Sequence, residues 1–304
     1  MDKRKRTGYI LTVFGAVCWA FSGASGQYLF ENRGLNADWL VTMRLTMAGL
    51  MLVIYSLARW RGEALRVLRS KRSLGSIVIF AVFGMAMCQY SYFRAIELSN
   101  SATATTLQYT GPALILIWLA IREKRFPSRK ELLAVVCAMA GAFLLATHGD
   151  ISQLALSPLA LIWCVLAAVS VAVYSVQPRA MIAKFGTMPV TGFGMLLGGL
   201  GLCIIFQPWH VVGQWDVVTV LGMLYIIVFG TICAFCCYLE GVRRIGAAKG
   251  SILAAIEPVA STVLSVLWLD VTLGGVDYAG VALIVAAMVL LGRGDEQNTA
   301  VSSA

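Results

Sequence analysis

The chain has 304 residues, of which 59% are hydrophobic and 13% charged, with a net charge of +9. A soluble domain carries about 25% charged residues to cover its surface, so most of this chain must face lipid or other apolar helices. The basic excess does not point to nucleic acid, because the Lys and Arg sit in short connections between apolar runs.

A membrane-crossing helix needs about 20 mostly apolar residues. Ten such runs follow in chain order: Gly8–Phe30, Trp39–Ala58, Leu74–Phe93, Ser99–Ile121, Glu131–Thr147, Pro158–Val176, Met188–Phe206, Val217–Leu239, Lys249–Leu269 and Val276–Gly292. The first follows "MDKRKR" and is too long for the apolar core of a cleaved signal peptide. The fourth opens on the polar stretch "SNSATATT", whose hydroxyls can bond back to helix carbonyls. After Arg293 the residues turn polar, and residues 294–304 are expected to form a disordered cytoplasmic tail. All eight cysteines fall in apolar runs. The Cys233/Cys236 pair lies on a membrane helix, not at a strand-to-helix turn, and reads as packing.

Basic residues give the direction of the spans. One side holds the N-terminus (Lys3 to Arg6) and the connections with Arg59–Arg72, Arg122–Lys130, Arg179 and Lys184, Arg243–Lys249, and Arg293. The other side holds only Arg33 and Arg94, while Arg44 lies inside the second run. Both termini are therefore expected in the cytoplasm, in a multi-pass plasma or inner membrane protein.

Laying Pro112 on Pro258 brings "YFRAIELSNSATATTLQYTGP" onto "YLEGVRRIGAAKGSILAAIEP" without a gap, with Tyr92 on Tyr238. Runs three to five match runs eight to ten, and "CWAFSG" fits "VAVYSV" loosely in the remaining parts. Each half has an odd number of spans, so the halves point in opposite directions. The basic connection "REKRFPSRK" accordingly matches "LDVTLGGVD", which has no Lys or Arg. The expected fold is all-α, with ten transmembrane helices as two inverted five-helix repeats. Spans one to five fill residues 1–150 and spans six to ten residues 151–293. Inverted repeats can exchange conformations, which is the logic of alternating access in secondary transporters.

The stretches "AVCWAFSG", "MRLTMAGLML" and the two aligned segments resemble the drug/metabolite transporter superfamily, and within it the EamA-type exporters. The resemblance covers about residues 8–292. It implies the ten-helix fold and outward transport of a small metabolite such as an amino acid. One departure is Glu123-Lys124, a shifted form of the family's Gly-Glu after the fourth span, for which the second half offers only Asp270.

Prolines at 112 and 258 cannot donate to the carbonyls of Gln108 and Ala254. Lipid does not tolerate orphan carbonyls, so both kinks should face the interior or a wet cavity. Glu257 is the one carboxylate well inside a span, and an ionisable residue there is a functional hypothesis by default. It could bind an amino group on substrate, carry a coupled proton, or pair structurally with Arg44 or a helix terminus. The resemblance favours the structural role, because Glu-Pro is common among family members with different substrates. Arg44 could pair with a carboxylate or with backbone carbonyls, or attract an anionic substrate group. The polar and aromatic residues expected around a substrate are Trp19 and Ser22 in the first span, and Gln89, Tyr92 and Phe93 on one face of the third. Thr105, Gln108 and Tyr109 precede the kink in the fourth, and Trp163 and Tyr174 lie in the sixth. Trp60, Trp209 and Trp215, at span ends, read as interface anchors. "SGASG" and "GFGMLLGGLG" supply small residues for close helix packing or sliding.

His148 and His210 form no metal-ligand pair and are expected to be solvated loop residues. No P-loop appears, so ATP is not expected to drive the process, and neither a cofactor nor a metal is expected. Such a protein would work as a monomer or weak dimer. Organic cations, including quaternary ammonium compounds and drugs, are the alternative substrates. A lipid-modifying membrane enzyme would need clustered acidic residues at a membrane face, and a channel would not need inverted halves with kinked central helices.

Overall fold

Glycine ends the first helix and asparagine starts the second. Helix α1 (Lys3–Arg33) runs into Gly34, whose φ of 67° suits a residue without Cβ. The Asn36 side chain then accepts from the Trp39 N–H at 2.9 Å, at the start of α2 (Ala37–Trp60). These features come from a computed structural model. It describes residues 3–60, 62, 64–111, 113–114, 117, 121, 128–148, 156–245, 250 and 253–302.

After α3 (Arg66–Arg69) comes one long rod: α4 (Lys71–Ile79), a wider π-helical segment at Phe80–Ala86, and α5 (Met87–Leu98). Asn100 accepts from the Thr103 N–H at 2.8 Å and caps α6 (Ser101–Gln108). Its threonines bond back as expected, Thr106 Oγ1 donating to the Ala102 carbonyl at 2.7 Å. The helix stops in a turn at Tyr109 and Thr110. Pro112 lies outside the described residues. Helix α7 (Arg129–Thr147) opens on a capping box between Ser128 and Glu131. Helix α8 (Pro158–Val176) has proline in its first turn, where no N–H is missed. Then come α9 (Arg179–Phe185), α10 (Thr187–Phe206) and α11 (Val217–Ile227). A second π segment, Val228–Cys233, leads into α12 (Ala234–Ile245). Helices α13 (Ile256–Trp268) and α14 (Gly275–Ser302) end the chain. The sequence points to disorder from residue 294, but α14 continues to Ser302. A nucleated helix gains a bond with each added residue, and Asp295, Glu296 and Gln297 do not break it.

Among the described residues all regular structure is helical. Five helices among the described residues are long and apolar enough to cross a membrane: Lys5–Arg33, Ala37–Trp60, Lys71–Leu98, Thr187–Phe206 and Val217–Val242. Pro158–Val171, Ile256–Trp268 and Gly275–Leu290 are shorter apolar helices. The outer faces are apolar, with Ile204 and Leu267 each 78% exposed, while Arg44 and Glu257 are buried. That inside-out distribution fits a chain whose solvent is hydrocarbon.

Helix α2 packs along α10, α7 along α14, α1 against α12, α5 against α8, and α6 against α13. Glycines permit the closest approaches. A Cβ on Gly141 of α7 would lie 2.6 Å from the Gly280 carbonyl oxygen of α14. Gly194 and Gly198 of the G-x-x-x-G face the first π segment, at Phe80 and Ala81. His148 is not simply solvated. Its Nδ1 pairs with Oδ1 of the buried Asp277, whose Oδ2 accepts from the Gly274 N–H at 2.8 Å. A carboxylate in the first turn of α14 completes that helix end and reaches the histidine at the end of α7. His210 is exposed, as expected.

Candidate functional site

The ninth apolar run is broken at its proline. Pro258 has no N–H to give the Ala254 carbonyl. The chain makes a turn at Ala255 before α13 starts at Ile256, and Pro258 is buried within the protein. Tyr109, from the turn that ends α6, answers the orphan carbonyl. Its hydroxyl lies 3.0 Å from Ala254 O and 2.7 Å from Glu257 Oε2. One phenol proton thus serves two acceptors. If Glu257 holds a proton it can donate to the Tyr109 oxygen, leaving the phenol proton to Ala254. If Glu257 is ionised the two acceptors compete. Among the described residues no protein donor reaches the other oxygen, Oε1.

Arg44 is held by the second π segment. Its Nε donates to Thr231 Oγ1 at 2.7 Å and its Nη2 to the Gly230 carbonyl at 3.1 Å. Thr231 Oγ1 in turn donates to Ile226 O, five residues back, at 2.8 Å. A π turn leaves carbonyls free of the usual helix bond, and Arg44 takes one of them. Its guanidinium also lies over the Phe93 ring, 4.8 Å from the centroid. Of the two structural partners expected for Arg44, the carbonyl is the one found. Among the described residues it makes no ion pair with Glu257, and no protein acceptor meets its Nη1.

Both charged residues line a cavity of about 250 Å³. Of the residues singled out in the sequence, Trp19, Ser22, Gln89, Tyr92, Gln108, Tyr109 and Tyr174 line it too. Ser22 Oγ is buried there and, among the described residues, has no protein partner. Gln108 Nε2 approaches Cys88 Sγ at 3.9 Å. Three others do not line the cavity. Phe93 is fully buried beneath Arg44, edge-on to Tyr92 at 5.2 Å. Thr105 lies behind the wall, 2.8 Å from Tyr92 Oη and 3.3 Å from Ser261 Oγ, and so ties α5 to α6 and α13. Trp163 packs edge-on to Tyr90, which donates to Asp38 at 2.7 Å.

Phe235 and Tyr238 line the cavity without having been singled out. Trp19 packs on both, each at 5.1 Å between ring centroids. The π segments were missed as well, although a signal exists. Val82-Phe83-Gly84 stands as far before Tyr92 as Val228-Phe229-Gly230 stands before Tyr238.

The model of the EamA-like transporter family matches residues 6–147 and 158–293. An uncharacterized inner membrane transporter of Salmonella typhimurium, YicL, is 34% identical over 94% of this chain and 95% of its own length. An uncharacterized transporter of Archaeoglobus fulgidus is 24% identical over 74% of this chain and 78% of its own. A solved crystal structure with 20% identity shares the fold, with a TM-score of 0.59 over 95% of this chain and 94% of that one. The family match over both halves and the apolar helices lead to one conclusion: the chain belongs to the EamA-like transporter family of the drug/metabolite transporter superfamily, and is a multi-pass membrane transporter.

Proposed function

We propose that the protein is a secondary active exporter of a small metabolite such as an amino acid, working by alternating access between two inverted five-helix repeats, residues 1–150 and 151–293. It sits in the cell's inner membrane with both termini in the cytoplasm. The observation that carries this reading is the cavity where, among the described residues, neither Arg44 Nη1 nor Glu257 Oε1 has a protein partner. A zwitterion supplies a carboxylate for the first and an ammonium for the second. Aromatic walls at Trp19, Tyr174 and Tyr238 leave room for an apolar side chain, and the volume limits the solute to small molecules.

Support for the inverted repeat comes from the packing. Exchanging the first five spans for the last five turns the α1–α12 pair into the α5–α8 pair. The same exchange returns α2–α10, α6–α13 and α7–α14 to themselves. Each half also has a π segment in its third span and a turn before the proline of its fourth. An organic cation is the second reading, favoured by the aromatic rings around Glu257 and opposed by Arg44.

Purified protein in liposomes is expected to move labelled amino acids. Trp19→Ala, Gln108→Ala and Glu257→Gln should each lower the rate about tenfold or more, the loss of one good polar or aromatic contact. Wild-type rates in all three variants would mean that the solute does not pass through this cavity.

A further inference from the structure

A second cavity, of about 460 Å³, lies at the end of α2 remote from the Gly34 turn, among α3, α9 and the start of α10. Leu52, Trp60, Phe185 and Met188 give it apolar walls. Its charged lining residues are Arg66, Lys184 and Glu240. Glu240 accepts from Arg244 Nε at 2.7 Å on its own helix, so its charge is offset locally. Lys184 lies over the Phe185 ring, 5.0 Å from the centroid. The Lys184 ammonium beside aromatic walls suits a carboxylate on an apolar body. Trp60, which the sequence assigns to the membrane interface, is one of its walls.

Among the described residues Phe235 alone lines both cavities. It is 8% exposed and wedged edge-on between Trp19 at 5.1 Å and Tyr174 at 6.1 Å. It also sits two residues past the second π segment, a kind of segment that recurs at functional sites. We propose that the second cavity is a loading site for the carboxylate-bearing apolar solute, and that Phe235 is the wall parting it from the central cavity. The identity of that ligand rests on the amino-acid reading above, whereas the wall rests on the shared lining alone.

Two native cysteines report on the two sides, since Cys236 lines the second cavity and Cys88 the central one. Full-length variants retaining only one of them, in liposomes, are treated with a cationic methanethiosulfonate from the side carrying Lys184. Cys236 should react about tenfold faster than Cys88, access being the difference. Phe235→Ala should raise the Cys88 rate about tenfold and leave the Cys236 rate within about twofold. Phe235→Leu, which keeps an apolar contact with Trp19, should give a smaller rise and serves if the alanine variant does not fold. An unchanged Cys88 rate in both variants, with Cys236 reacting normally, overturns the wall. L-leucine or L-phenylalanine at millimolar concentration should slow Cys236 modification, and should still do so with Glu257→Gln, when the central cavity has lost its carboxylate. Lys184→Ala should weaken that protection. Protection by choline alone, or by none of the three, overturns the loading site. The labelling rates at Cys88 read the wall whatever solute the protein carries, so this test and the transport assay fail independently.

Discussion

Tyr109 shows how much depends on one hydroxyl. It joins the end of α6 to the break before α13, and it meets both the carbonyl freed by Pro258 and the carboxyl of Glu257. Tyr109→Phe keeps the ring but leaves the Ala254 carbonyl without a donor, at a cost of about 1–3 kcal/mol for a buried unsatisfied group. The expected outcome is a lower unfolding temperature in detergent together with slower transport. A variant as stable as wild type would show that water already serves this carbonyl. At this scale the sequence located Glu257, Arg44 and Pro258 because each is costly in a membrane run. It left Phe235 and Tyr238 unmarked, because an aromatic ring in an apolar helix costs nothing and so carries no signal.

Helix ends and helix faces are where single substitutions act on whole elements. Asp216 caps α11, its Oδ1 accepting from the Thr219 N–H at 2.8 Å, with Arg33 Nε 3.2 Å from Oδ2. The Thr219 N–H holds this exposed loop carboxyl below its ordinary value of 3.8, and Arg33 adds to the effect. A carboxyl lowered on folding stabilises above the ordinary value and loses that contribution as the pH falls past it. Thermal unfolding from pH 7 down to about pH 3 should therefore show a smaller acid-induced drop for Asp216→Ala than for wild type, from a lower start at pH 7. Gly280 illustrates the faces. A Cβ there would lie 2.9 Å from Leu145 Cγ and 3.0 Å from the Gly141 carbonyl oxygen. Gly280→Leu should push α14 off α7 and cost about 1–3 kcal/mol by overpacking, read as a fall in unfolding temperature. Small residues were legible as packing faces in the sequence, but their partners were not.

On the scale of the molecule, the basic connections predict which end faces the cytoplasm. In a cysteine-free background, a cysteine at the exposed Val211 should react with an impermeant maleimide added to intact cells. A cysteine at the open position Gly62 should react only after lysis. The reverse pattern would invert the assignment of Arg33 and Lys184 to the two sides and move the loading site to the outer face. This prediction follows from charge alone, because Lys and Arg beside short loops are retained on the cytoplasmic side during insertion.

Composition and periodicity by themselves determined that the chain is helical and lives in a membrane. Hydrocarbon forces every span to satisfy its own backbone, which leaves few other solutions. They also marked the proline break and the buried charges, since each violates that rule locally. Only the tertiary structure decided what those violations meet. Arg44 takes a π-segment carbonyl from a span nearly two hundred positions away in the chain, and Tyr109 takes the carbonyl that Pro258 frees. Phe235 stands between two cavities. Such pairings depend on how helices from opposite halves pack, and helix packing is set by side-chain shapes across an interface that a single chain's periodicity does not encode.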